Sequence, residues 1–330
     1  MNDSNRDPVS VSVLAGGYGG AKLSHGLALA SAAREQAGQA PLHLSIVVNV
    51  GDDLELHGLN VSPDLDTVMY TLAGLADEEH GWGVRDETWS AATMLETYGA
   101  ETWFRLGDRD LGTHIRRTEG LRAGRSLTEV TAALARSLGI EAQLLPATDA
   151  RIRTRIRSGN EWLDFQDYFV KRGQRDRVDE VRYEDIEVAT PTAEVLSAII
   201  AADLIVIAPS NPVVSVGTIL AIPGMAGALR DASAPVVAVS PIIGGKALRG
   251  PADRMLASLG AESSASGVAA FHQQHHRGVI DRFIIDVQDA DETAAVEATG
   301  VDVDMLDIVM RSHADRERLA LQMLESSLPA

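Results

Sequence analysis

The run Leu204-Ile205-Val206-Ile207-Ala208 is apolar at every position and stops at a proline. A strand with one wet face alternates in polarity. A strand without alternation is buried on both faces, as in a parallel sheet covered by helices. Further β-rich runs lie at 9–14, 42–48 and 236–239, with candidates at 280–285 and 305–310. Helix-forming sequence separates them, at 21–37, 192–202 and 224–230 among others. Strand and helix thus alternate over the whole chain. This predicts an α/β fold: a doubly wound, mainly parallel, Rossmann-like sheet.

The chain has 330 residues, 45% of them hydrophobic, enough for one large core or two domains. No internal repeat or low-complexity linker divides it, so a single α/β nucleotide-binding domain over 1–330 is expected. The net charge of −18 excludes a nucleic-acid binder held by phosphate contacts and disfavours anionic membranes. An anionic small substrate therefore needs a local positive site or a bound cation. With no cysteine, disulfides, thiol catalysis and thiolate zinc sites are excluded. The stretch 1–8 is polar rather than signal-like, and no apolar run approaches membrane-spanning length. A cytoplasmic protein is the expectation, with a homodimer the commonest assembly.

Three loops follow strands. The first, Ala15-Gly16-Gly17-Tyr18-Gly19-Gly20-Ala21-Lys22-Leu23, opens a helix and offers backbone amides to an anion. It lacks the third glycine of a dinucleotide fingerprint and the Gly-Lys-Ser/Thr of a Walker loop. The second, Asn49-Val50-Gly51-Asp52-Asp53, continues to Ser62-Pro63-Asp64-Leu65-Asp66-Thr67, so four aspartates fall between positions 52 and 66. Crowded carboxylates repel unless a cation sits among them, and Mg²⁺ is the hard cation suited to oxygen ligands. Asp64 or Asp66 can instead cap a helix over 67–76, but capping does not explain all four. The third, Pro209-Ser210-Asn211-Pro212, is fixed by two prolines and leaves a hydroxyl and an amide to point at something. Ser240-Pro241-Ile242-Ile243-Gly244-Gly245-Lys246 is a further glycine-rich loop after a strand.

Residues 67–140 are helical and strand-poor, a mainly helical insertion expected over the active site. Three of the four tryptophans, Trp82, Trp89 and Trp103, fall in it, as the wall of a planar-ring site or as simple packing. Ser126-Leu127-Thr128-Glu129 is a capping box. Arg151, Arg153, Arg155 and Arg157 alternate along a β-hairpin, a pattern of a solvated face more than of an anion contact. His272, His275 and His276 share helical spacing without nearby carboxylates, which favours a surface helix face over a metal site. Amides for phosphate, carboxylates for Mg²⁺ and aromatics for a ring describe a phosphorylated nucleotide meeting a second substrate, in phosphoryl-type transfer or nucleotide binding.

Six segments taken in order, 15–23, 49–53, 62–67, Leu106-Gly107-Asp108-Arg109-Asp110, 209–212 and 240–245, resemble the 2-phospho-L-lactate transferase family. That family includes the actinobacterial phosphoenolpyruvate transferases of coenzyme F420 biosynthesis. The resemblance implies transfer of a phosphoenolpyruvyl or 2-phospho-L-lactyl group from its guanosine diphosphate conjugate to the terminal hydroxyl of the deazaflavin Fo, with GMP leaving and Mg²⁺ required. It places the guanosine diphosphate over the glycine loop and the Ser210-Asn211 loop, and the deazaflavin near the acid loop and the insertion. Asp53 and Asp64 are then the catalytic candidates, and Asp53, Asp64 and Asp66 the metal ligands. Substrate contacts are expected at Gly16, Gly17, Tyr18, Gly19, Gly20, Lys22, Asp52, Asp53, His57, Arg85, Thr88, Ser210, Asn211 and Ser240. Two other readings compete. A non-catalytic nucleotide-sugar-binding regulator of the same superfamily has no need of so many carboxylates, and an NAD-dependent dehydrogenase conflicts with the broken fingerprint.

Overall fold

Seven strands carry the central sheet: β1 (Val9–Ala15), β2 (Leu42–Val48), β3 (Gln143–Pro146), β4 (Leu204–Ile207), β5 (Val236–Val239), β6 (Arg282–Asp286) and β7 (Asp302–Leu306). In the computed structural model, which describes residues 7–328, they lie in the order β7-β6-β5-β4-β1-β2-β3. Every pairing is parallel. This is the doubly wound order 3-2-1-4-5-6 with a seventh strand added at one edge. The four side chains of β4 are fully buried, as their unbroken apolar run requires. Residues 1–6 of the polar N-terminal stretch lie outside the described residues.

Helix α1 (Gly17–Gln36) begins inside the glycine loop, four residues before the expected start at Ala21. Glycine's low helix propensity hid that first turn, which packing holds in place. Helix α2 (Pro63–Leu72) also starts early, with Pro63 at its first position, where proline's fixed φ suits a helix. Asp64 and Asp66 therefore sit inside its first turn rather than capping it.

Between α2 and β3 run α3 (Ser90–Thr97), α4 (Asp110–Arg122) and α5 (Leu127–Ser137), and no strand of the central sheet. Ser126 and Glu129 form the expected capping box on α5. The two preceding loops exchange caps. Glu87 accepts from the Arg109 and Asp110 amides at the start of α4, and Asp108 accepts from the Ser90 and Ala91 amides at the start of α3.

The hairpin Arg153–Ser158 and Glu161–Asp164 gains a third strand, Glu180–Glu184, that carries no clear signal in the sequence. Its arginine face is tied off by cross-strand ion pairs: Arg153 to Glu184 at 3.1 Å, Arg155 to Asp164 at 2.8 Å and Arg157 to Glu180 at 3.0 Å. His272 departs from the surface-face expectation. It is buried against the core, and burial pushes its imidazole down to about 3, so it stays neutral. Among the described residues no helix is long and apolar enough to cross a membrane.

Candidate active site

In a doubly wound sheet the binding crevice opens where the strand order reverses. Here that point lies between β1 and β4, and one hydroxyl staples the two loops together. Ser210 Oγ accepts from the Gly16 amide at 3.1 Å and donates to the Gly16 carbonyl at 2.8 Å. The closeness demands glycine. A Cβ at Gly19 would stand 2.2 Å from the Pro209 carbonyl oxygen, and Gly17 has φ +59°. The N-terminus of α1, whose Gly17 amide turns to Asp64, thus faces the crevice with its partial positive charge. Asn211 and Ser240 shape their own loops instead of pointing outward. Asn211 Oδ1 accepts from the Val213 and Val214 amides, and Ser240 Oγ donates to the Ile242 carbonyl.

The acid loop closes one side of this crevice. Asn49, fully buried at the end of β2, donates to Asp64 Oδ2 at 3.0 Å and accepts from the Gly51 amide at 2.9 Å. Ser62 Oγ donates to Asp53 Oδ2 at 2.6 Å. Burial pushes Asp64 up to about 6, although Asn49 and the Gly17 amide pull the other way. Burial also holds Asp53 and Asp52 well above the usual carboxylate range, with the neighbouring Asp64 adding to the effect at Asp52. Asp52 Oδ1 and Asp53 Oδ1 are buried with no hydrogen-bond partner. Buried acceptors left without a donor are rare, and a cation held by Asp53 and Asp64 would satisfy the one on Asp53.

Asp66 belongs to a different arrangement from its two neighbours. Both its oxygens meet the buried Arg117 guanidinium, one of them at 3.0 Å. Its charge is thus matched within the protein, which leaves Asp53 and Asp64 as the two carboxylates free for a metal. Among the described residues no three His, Asp or Glu side chains form a ready-made metal cage. Mg²⁺ is usually held by one or two carboxylates plus substrate phosphates, so two suffice.

Beyond Asp53 lies a cleft of ≈ 250 Å³ lined by Gly51, Asp52, Asp53, Trp103, Phe165, Arg151 and Arg153, among others. A second cleft of ≈ 380 Å³ in the insertion is walled by Trp82 and Trp89, with the Arg105 guanidinium 4.2 Å over the Trp89 ring. The tryptophans therefore divide between two clefts and do not form one wall. Tyr18 is clasped between Lys22 and Arg249, at 4.5 and 4.6 Å from its ring centre, and its hydroxyl donates to the Glu78 carbonyl. His57 is exposed at the tip of the hairpin between Leu54–Leu56 and Leu59–Val61. Arg85 is exposed beside Asp86, and Thr88 donates to Asp108. The carboxylates of segment 106–110 serve helix starts and a buried network, so they do not add to the metal set.

Sequence reasoning passed over Asn49, Ser62 and Arg117. Asn49 had a signal, since it opens the acid motif at a strand's end. Arg117 had none, because 51 residues separate it from its partner.

A doubly wound parallel sheet with a glycine-rich helix start and buried carboxylates at its reversal point defines a Rossmann-like α/β protein. Solved structures agree on the fold. A member of the UPF0052 family from Bacillus halodurans superposes with TM-score 0.67 at 16% identity, covering 97% of this chain and 100% of that one. The family model for 2-phospho-L-lactate transferase CofD matches residues 11–323, and the chain belongs to that family. Among its relatives, the phosphoenolpyruvate transferase of Kitasatospora aureofaciens is 42% identical over 320 residues, covering 94% of this chain and 97% of that protein. That of Mycobacterium tuberculosis (strain ATCC 25618 / H37Rv) is 43% identical over 312 residues, covering 91% and 94%.

Proposed function

We propose that this transferase moves a phosphoenolpyruvyl group, or its 2-phospho-L-lactyl counterpart, from a guanosine diphosphate conjugate to the terminal hydroxyl of Fo in coenzyme F420 biosynthesis. The observation that carries this reading is the position of Asp53 and Asp64. Asp64 is buried against Asn49 and the start of α1, and Asp53, with one buried oxygen that has no donor, lines an aromatic cleft beside it. The crevice suits the donor's diphosphate: the start of α1 supplies amides and partial positive charge. The 250 Å³ cleft suits the acceptor ring against Trp103 and Phe165, with its side-chain hydroxyl reaching toward Asp53. Relatives named as phosphoenolpyruvate transferases favour the enolpyruvyl donor.

In the reaction the acceptor oxygen forms a bond to the phosphorus that bears the enolpyruvyl group. The bond from that phosphorus to the bridging oxygen breaks, GMP leaves with the bond's electron pair, and the hydroxyl proton passes to a carboxylate. Asp53, which lines the acceptor cleft, is the group placed to take it. Asp53 and Asp64 would hold Mg²⁺, which when bound neutralises the diphosphate and stabilises the leaving phosphate. Gly16, Gly17, Gly19 and Gly20 orient the donor, and Asn49 and Ser62 keep the two carboxylates in place.

Tryptophan fluorescence titrated with Fo, GDP, a UDP-sugar and NADH discriminates among the readings. Saturable quenching by Fo with Mg²⁺ and GDP present is expected. A response to the UDP-sugar alone would point to a non-catalytic binder and overturn the proposal.

A further inference from the structure

Helix α4 buries a polar stripe. Asp110, His114, Arg117 and Thr118 share one helical face, and all four are buried. A polar helix face normally looks to solvent. This one looks to α2 and to the hairpin beside the acid loop. Besides the Arg117 fork on Asp66, His114 Nδ1 lies 3.3 Å from Arg117 and 3.7 Å from Asp66, and its Nε2 lies 3.2 Å from Asp110. Asp110 accepts from the Tyr70 hydroxyl at 2.6 Å, and Thr118 Oγ1 accepts from the Asn60 amide at 2.8 Å. The insertion is thus bolted to α2 at Asp66 and Tyr70, and to the hairpin at Asn60.

The first turn of α2 matters because of what hangs on it. Ser62 holds Asp53, and Asp64 is itself in that turn, held by Asn49. Asp66 follows two residues later in the same turn, in the grip of Arg117. We propose that Arg117 is a positioning residue for the transfer: through Asp66 it fixes the start of α2, and with it the placement of Asp53 and Asp64. It touches neither substrate. This rests on the transfer reading above. The planar fork is what an arginine supplies and a lysine does not, since two parallel hydrogen bonds fix angle as well as distance.

The competing explanation is a pair that only stabilises the fold, and a neutral double variant separates the two. Arg117→Met alone strands a buried carboxylate and is expected to destabilise the protein. Asp66→Asn with Arg117→Met removes both charges and is expected to recover the thermal midpoint, since a buried ion pair can often be replaced by neutral groups. If Arg117 positions the acids, this stable double variant still loses kcat by about 100-fold, the scale of an ångström-level misplacement. Its KM for donor and acceptor should stay within about threefold of wild type, and Arg117→Lys should recover only part of the rate. Wild-type kcat in the stable double variant overturns the proposal, and so does a loss confined to KM. Failure of the double variant to fold also overturns it, because the pair would then be required by the fold itself. The wild-type enzyme run alongside with Fo, Mg²⁺ and the enolpyruvyl conjugate tests the underlying reading separately. No GMP from the wild type refutes the transfer and this role with it, whereas GMP from wild type and full rate in the variant refute only the role of Arg117.

Discussion

At Asp64 the interior works against the charge that the proposed chemistry needs. The buried carboxyl is raised to about 6. The group binds its proton more tightly folded than unfolded, so its stabilising contribution is complete below about pH 4 and is lost as pH rises through about 6. A cation reverses this, since metal and proton compete for the same oxygens. Adding Mg²⁺ is therefore expected to raise the Tm by a few degrees at pH 7.5 and hardly at all at pH 5. An equal rise at both values would place the ion elsewhere. Asp53→Asn and Asp64→Asn each replace a carboxyl whose charge burial disfavours by a neutral isostere, so the Tm should hold or rise. GMP release should fall by at least about 100-fold, the scale of losing one charge-stabilising group. Near-normal turnover in either variant would remove that residue from the site. The clustering of Asp53 and Asp64 was legible in the sequence because both lie near a strand's end. The fate of Asp66 was not. Its spacing matched a metal ligand, and only the fold brings Arg117 to it from 51 residues away.

The glycine loop and α1 act as one element, and their precision comes from missing side chains. Gly19→Ala drives a methyl into the Pro209 carbonyl. The two loops at the reversal point must part, and the donor's KM is expected to rise by at least about 10-fold with little change in kcat at saturation. An unchanged KM would move the donor away from this crevice. As a control remote from the crevice, Ser126→Ala removes the α5 capping box. It should lower stability by about 1 kcal/mol and leave turnover unchanged. The capping box was readable because its four residues are adjacent and its geometry is local. Strands β4 and β5 were readable because burial on both faces leaves an unbroken apolar run. The edge strand β3 was missed for the opposite reason: it is four residues long and ends in proline, which an edge tolerates. Helix Val216–Ala221 and strand Glu180–Glu184 were missed because each is short and takes its order from packing rather than from periodicity.

At the scale of the whole molecule, the sheet order decides where chemistry occurs. With seven parallel strands reversing between β1 and β4, the glycine loop, the acid loop and the Ser210 loop come together without adjacency in sequence. The alternation of strands and helices made that convergence legible. The division of the tryptophans between two clefts was not, because it depends on how the insertion folds back. For a chain of net charge −18 the proposed anionic donor would need local positive potential, which the start of α1 and a cation held by Asp53 and Asp64 would supply. Mass spectrometry of the purified protein incubated with Fo, Mg²⁺ and the guanosine diphosphate conjugate of enolpyruvate bears on all of this at once. The expected result is a new species equal to Fo joined to phosphoenolpyruvate through a phosphodiester, with one GMP per product and neither formed when Mg²⁺ is chelated. Intact Fo and no GMP, with this donor and with the lactyl conjugate alike, would contradict the transfer.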